Sequence, residues 1–285
     1  MFRRQQLRPL GPGDAADLLA LCERDPVTDV FVAARVERYG IDRPGTRGGD
    51  LYGWFSRGEL VSACWFGANL VPVQAVPEAL SAFTQHALQT GRRCSSLVGP
   101  ADDVLWMWSE LERRWGPARE VRADQPLLAL DHAPAVPADP AVRRARREDL
   151  DLLVPAAVAM FTEEVGYSPV AYDGGHAYRQ RVAQLVDDGS AFVRIEPLEG
   201  SEQVVFKADL GALSRRVAQV QGVYVDPRLR GRGLAAPGMA AVVELARAAG
   251  VGTVSLYANA WNAPALAAYR RVGFEQVGRF ATILF

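Results

Sequence analysis

The stretch "VYVDPRLRGRGLA", residues 223–235, runs from a β-branched apolar segment into an alanine-rich one through two glycines and three arginines. If the first part is a strand and the last a helix, the turn exposes backbone N–H groups that have no intrahelical partner. The helix dipole adds about half a positive charge there, so an anion such as a phosphate is the natural ligand. Gly231 and Gly233 permit positive φ and let a diphosphate approach the backbone with no Cβ in the way. Taken alone, the same residues also describe a tight turn with solvated arginines.

Three kinds of phosphate loop compete. A P-loop requires GxxxxGK[ST], but Lys207, the only lysine of the chain, lies upstream in a different strand. Gly231, Gly233 and Ala236 spell the Rossmann GxGxxA, yet "GTVSLYAN" offers no acid for a ribose about 20 residues on. The third is an acyl-coenzyme A loop. Arg228-x-x-Gly231-x-Gly233 after "VYVDP" resembles the R/Q-x-x-G-x-G/A element of the Gcn5-related N-acetyltransferase (GNAT) family. "NAPALAAYRRVGF", residues 262–274, resembles the same family's N-x-x-A-x-x-x-Y-x-x-x-G-F segment at Asn262, Ala265, Tyr269, Gly273 and Phe274. The two matches stand in the family's order, and the resemblance covers residues 141–285. "MFTEEVGYSP" and "AQVQGVYVDP" further resemble an actinobacterial tandem-domain type whose N-terminal half is a domain of unknown function.

The proline- and alanine-rich "HAPAVPADPAV", residues 132–142, separates two patterned halves, which sets domains at 1–132 and 141–285. The halves echo each other. Arg8 and Asp14 before a leucine-rich helix correspond to Arg143 and Asp149, and Arg113-Arg114-x-Gly116 corresponds to Arg270-Arg271-x-Gly273. Periodicity in the second half predicts helices over 148–161, 174–188, 234–249 and 263–273, with strands between them in the order βααβββαβαβ. The expected fold is α/β (α+β): two tandem GNAT-like domains, each a mixed, mostly antiparallel sheet flanked by helices.

The resemblance implies direct transfer of an acetyl group from acetyl-coenzyme A, as co-substrate, to an amine in a ternary complex, with no metal. It assigns the coenzyme to Val223, Tyr224, Val225, Arg228, Arg230, Gly231, Arg232, Gly233, Leu234, Ala235, Asn262 and Tyr269. Within that set the Val223 N–H polarises the acetyl carbonyl, and Tyr269 is the general acid that protonates the departing thiolate. Tyr269 equally suits a helix core, and Asn262 equally suits a helix cap. The family's basic glutamate is missing: its nearest counterpart is Gln219, which holds a water instead, while Glu163 and Glu164 are candidates for base or amine binding, or a solvated helix end. Gly222 suits a bulge beside Val223, and Pro237 threatens to distort the following helix. At the place comparable to the glycine loop the first half reads "ANLVPVQAVPEALSAF", with prolines but no RxxGxG, and Glu112 stands opposite Tyr269, so this half is expected to be a scaffold or cleft wall, with Trp106, Trp108 and Trp115 as packing.

A net charge of -1 disfavours nucleic acid and anionic membranes as partners. The expected partner is a small-molecule or protein amine, bound by a monomer or homodimer. Cys22, Cys64 and Cys94 read as reduced thiols, His86, His132 and His176 show no metal spacing, and no signal or membrane segment is apparent, which points to the cytoplasm. The competing function is an acyl-coenzyme A sensor with little or no catalysis.

Overall fold

The computed structural model describes residues 6–42, 48–171 and 174–285; residues 1–5 of the basic N-terminal stretch lie outside the described residues. In the first half the chain forms β1 (Gln6–Pro9), α1 (Ala15–Cys22), α2 (Val30–Tyr39), β2 (Gly49–Ser56), β3 (Glu59–Gly67), β4 (Asn69–Val73), α3 (Pro77–Thr90), β5 (Ser96–Pro100), α4 (Ala101–Trp115) and β6 (Glu120–Leu130). The second half forms β7 (Arg143–Arg144), α5 (Leu150–Val165), α6 (His176–Asp187), β8 (Ala191–Leu198), β9 (Ser201–Leu213), β10 (Val217–Val225), α7 (Ala235–Ala248), β11 (Thr253–Tyr257), α8 (Ala263–Val272) and β12 (Glu275–Leu284). Both halves therefore run βααβββαβαβ, which is the order expected from the periodicity of the second.

The first compact unit extends to Leu128 and also takes in Tyr257–Trp261 and Gln276–Phe285; the second comprises Ala129–Leu256 and Asn262–Glu275. The C-terminal strand, expected with the second half, thus clusters with the first unit, where β12 pairs antiparallel with β5 from Phe280↔Pro100 to Leu284↔Ser96. Phe285 closes this core against Trp108 and Trp115, each with ring centroids 5.6 Å away. Trp106 does not join them: it is 41% exposed, because it lies on the outer face of α4.

In the second unit β7, β8, β9 and β10 pair antiparallel in sequence order, and β11 then adds parallel to β10. The β8–β9 hairpin turns on Glu199 and Gly200, both at positive φ (54° and 86°), the geometry of a tight two-residue turn whose twist matches the strands. On one side the buried residues of α5 and α6 pack with Ala191 and Val193 of β8; α7 buries a run of small residues, Ala236 to Val243.

The sequence echo between the halves is a repeated local structure. Arg8 forms a two-pronged ion pair with Asp14 (2.6 and 2.9 Å), and Arg143 does the same with Asp149 (2.7 and 2.8 Å). In each copy the aspartate also accepts the backbone N–H three residues earlier, from Gly11 or Arg146, and so fixes the turn that starts the helix. The arginine partner holds each carboxyl below the ordinary aspartate range. A depressed folded-state value stabilises the fold above the unfolded value and ceases to do so as pH falls through the folded one. Asp14→Ala and Asp149→Ala are each expected to destabilise by about 1–3 kcal/mol in urea unfolding at pH 7. The deficit should begin to shrink below about pH 4, where the unfolded-state carboxylates protonate, and should vanish only as pH falls through the lower folded-state values.

Candidate functional site

The site is organised by β10. Its parallel register with β11 runs only from Val217↔Thr253 to Gln219↔Ser255, and beyond that point the register continues with β9 alone. On the β9 side Gln221 faces Asp209 and Tyr224 faces Lys207, so Gly222 and Val223 together stand opposite the single residue Ala208. This is the bulge expected at Gly222, whose φ is +59°. A Cβ there would lie 2.9 Å from Asp209 Oδ2 and 3.1 Å from Met160 Cε, so a side chain has neither the conformation nor the space.

After Val225 the chain turns through Asp226, which accepts the Arg228 backbone N–H at 2.9 Å. The Arg228 side chain returns to the same carboxylate at 2.9 and 2.7 Å and also donates to Glu199 (2.6 Å) and Gln203. Arg228 is thus a strut between the turn and the β8–β9 hairpin. Arg230 is likewise engaged, donating to both carboxylate oxygens of Glu163 (2.7 and 2.6 Å) and to the Val225 carbonyl (3.2 Å). Arg232 is exposed and makes no ion pair among the described residues. Gly231 and Gly233 both take the expected positive φ (76° and 81°), with open space where each Cβ would stand. Leu234 caps α7 without a side-chain hydrogen bond, leaving the first amides of the helix to other partners.

The expected distortion at Pro237 does not occur. Pro237 is the third residue of α7, where an N–H lacks an intrahelical partner in any case, and the carbonyl four residues back belongs to Gly233, outside the helix. Its own carbonyl accepts from the Asp139 N–H at 3.0 Å.

On α8, Asn262 caps the helix by accepting from the Ala265 N–H at 3.3 Å. Two turns on, Tyr269 is buried, edge-on to Phe274. Burial first, and the charge of Glu164 second, push the phenol above its ordinary range. Glu163 and Glu164 end α5 and separate in role: the Arg230 hydrogen bonds hold Glu163 below the ordinary carboxylate range, while Glu164 is the one that acts on Tyr269.

Two features were not foreseen. The first is Ser255 facing the expected Gln219: the Gln219 side-chain nitrogen on β10 and the Ser255 Oγ on β11 are both buried with no hydrogen-bond partner among the described residues. On β9, Lys207 is 1% exposed and donates to Asp209 Oδ2 (2.6 Å) and to the Gly222 carbonyl (2.9 Å). The signal for the second was a single lysine in an otherwise arginine-only chain.

The first unit is built differently at the comparable place. Only Gln74, Ala75 and Val76 separate β4 from α3, and α3 begins with Pro77, which has no N–H to offer. Glu112 is exposed on α4. A cavity of about 430 Å³ opens near this point, lined in part by Asp25, Gln74, Asp103 and Arg279, none of them among the expected site residues.

Both halves of the chain resemble known proteins. Residues 173–274 match the acetyltransferase (GNAT) family, and residues 49–153 match the domain of unknown function DUF4081. A stretch of 103 residues is 38% identical to mycothiol acetyltransferase of Brachybacterium faecium, covering 35% of this chain and 30% of that protein. A GCN5-related N-acetyltransferase from Sphaerobacter thermophilus superposes with a TM-score of 0.60 at 17% identity, over 98% of this chain and 95% of that one. A tandem GNAT protein from the clavulanic acid biosynthesis pathway gives 0.54 at 16% identity, over 99% and 98%. At such identities the structural likeness speaks for the fold alone. The chain thus carries a stretch that matches DUF4081 followed by one that matches the acetyltransferase (GNAT) family.

Proposed function

We propose that the second unit is an N-acetyltransferase that moves an acetyl group from acetyl-coenzyme A to an amine by direct attack. One observation carries this: an opened strand, a glycine loop ending in an uncapped helix start, and a buried phenol all belong to the same unit. Acetyl-coenzyme A supplies the activated thioester; the protein's own groups bind, orient and protonate.

The backbone N–H groups from Arg230 to Ala235 hold the diphosphate, which the open space at Gly231 and Gly233 admits. Arg232, alone of the three loop arginines, has its charge free for it. The pantetheine arm pairs with the peptide groups of Val223 and Val225, in the way an added strand would. Its partners are the positions of β10 that β11 no longer engages. The Asn262 amide nitrogen, left over once its oxygen caps α8, donates to the same arm.

The Val223 N–H polarises the acetyl carbonyl, and Tyr269 gives its proton to the departing sulfur. A phenol raised above its ordinary range stays protonated throughout the working pH range, so the acid is always loaded. For the base, Gln219 and Ser255 hold a water between β10 and β11, which satisfies both orphaned groups and provides a path for the amine proton. Glu164, whose charge is felt at Tyr269, draws the cationic form of the acceptor. Glu163 is removed from this role by Arg230.

An acetyl-coenzyme A turnover assay across amine classes tests the reading: turnover of any amine supports it, while coenzyme binding with no transfer would favour a sensor. Tyr269→Phe is expected to lower kcat at least about tenfold with KM for the coenzyme within about threefold. In the wild type, the raised phenol predicts no alkaline fall in kcat from loss of the Tyr269 proton below about pH 9.5. Arg232→Ala should weaken coenzyme binding about fivefold, whereas Arg228→Ala should chiefly lower thermal stability, as read by calorimetry and by the Kd for coenzyme A.

A further inference from the structure

Lys207 is the only lysine among 32 basic residues, and it is also among the most deeply buried side chains of the molecule. Taking a charged amine out of water costs several kcal/mol before any partner is counted, so its position calls for a physical reason. Ion pairing to Asp209 at 2.6 Å neutralises the charge, but an apolar pair would fill the same space at no such cost. What an apolar pair would not do is donate to the Gly222 carbonyl, 2.9 Å from Nζ.

That carbonyl belongs to the peptide whose other end is the Val223 N–H. The described chain contains no cis peptide bond, and in a planar trans peptide the C=O and the N–H point in opposite directions. Drawing the Gly222 oxygen toward β9 therefore turns the Val223 N–H away from β9, toward the side on which β10 has parted from β11. In a bulge this orientation is not fixed by the ladder: Gly222 and Val223 share a single opposite residue, and Gly222 stands at φ +59°. The ion pair also lies over the Gly222 α-carbon, with Asp209 Oδ2 and Lys207 Nζ 2.9 and 3.2 Å from where a Cβ would be. A compact ammonium fits this place; the planar fork of an arginine is larger and has more donors to satisfy.

We propose that Lys207, held by Asp209, is a positioning residue for acetyl transfer: it clamps the Gly222 carbonyl so that the Val223 N–H is fixed at the acetyl oxygen. The proposal rests on the reading of Val223 as the polarising donor. Lys207 does not touch substrate; it acts through one peptide plane.

The test is the paired variant Lys207→Met/Asp209→Leu, which removes both charges together and so leaves no buried ion unpaired. Its kcat, its coenzyme A Kd, its melting temperature and the carbonyl ¹³C resonance of bound [1-¹³C]acetyl-coenzyme A are compared with those of the wild type. The expected result is a folded protein whose coenzyme A Kd is within about threefold of wild type, because the diphosphate loop is untouched. Its kcat should fall at least about 30-fold. The carbonyl resonance, displaced downfield in the wild type by the N–H, should return to its free position in the variant. A variant that keeps both the wild-type kcat and the displacement overturns the clamp while leaving Val223 in place. A wild type with no displacement removes Val223 as donor, and the clamp with it.

Discussion

The parallel ladder between β10 and β11 ends at Gln219 and Ser255, and the chemistry of the site depends on that ending. A backbone N–H or C=O in a sheet must find a partner, and a strand abandoned by its neighbour presents a row of them to whatever fills the gap. Here the gap lies beside the bulge at Gly222 and leads to the glycine loop and the start of α7. An extended ligand with amide groups along its arm and an anionic tail matches this surface at both ends. Side chains then finish what the backbone begins: Arg228 and Arg230 are spent on Asp226 and Glu163 to hold the loop, while Arg232 makes no ion pair among the described residues.

The same fold in the first half shows how little the architecture alone decides. Its parallel ladder is also short, Asn69↔Ser96 and Leu70↔Leu97, and the strand order is the same as in the second half. Yet three residues lead from β4 into a helix that begins with proline, so no chain of free amides forms, and the position of the phenol carries an exposed Glu112. Two copies of one fold thus differ through a few residues of loop and one side chain.

Much of this was legible in the sequence. Gly231 and Gly233, spaced as a loop between strand and helix, permit the positive φ that both take, and Asn262 and Tyr269 fall on one helical face by spacing alone. The repeated Arg-to-Asp ion pairs were visible as an echo because both partners lie within six residues of each other. What escaped were interactions between residues distant in sequence. The Glu163–Arg230 pair joins the end of α5 to the loop, and the contact of Lys207 with Gly222 crosses from β9 to β10. Neither leaves a periodic trace. The clustering of the C-terminal strand with the first unit is invisible for the same reason, since strand pairing is a long-range choice. A start of α7 at 234 in place of the observed Ala235 puts Pro237 one residue deeper and makes a harmless first-turn proline look like a clash.

The central claim is that backbone amides of the loop, rather than arginine side chains, seat the coenzyme and thereby set the sulfur beside a protonated phenol. A crystal structure with coenzyme A bound addresses it most directly. Diphosphate oxygens are expected within hydrogen-bonding distance of the amides from Arg230 to Ala235, and the thiol beside Tyr269. A diphosphate held instead at the short connection after β4, or a thiol far from Tyr269, would contradict it.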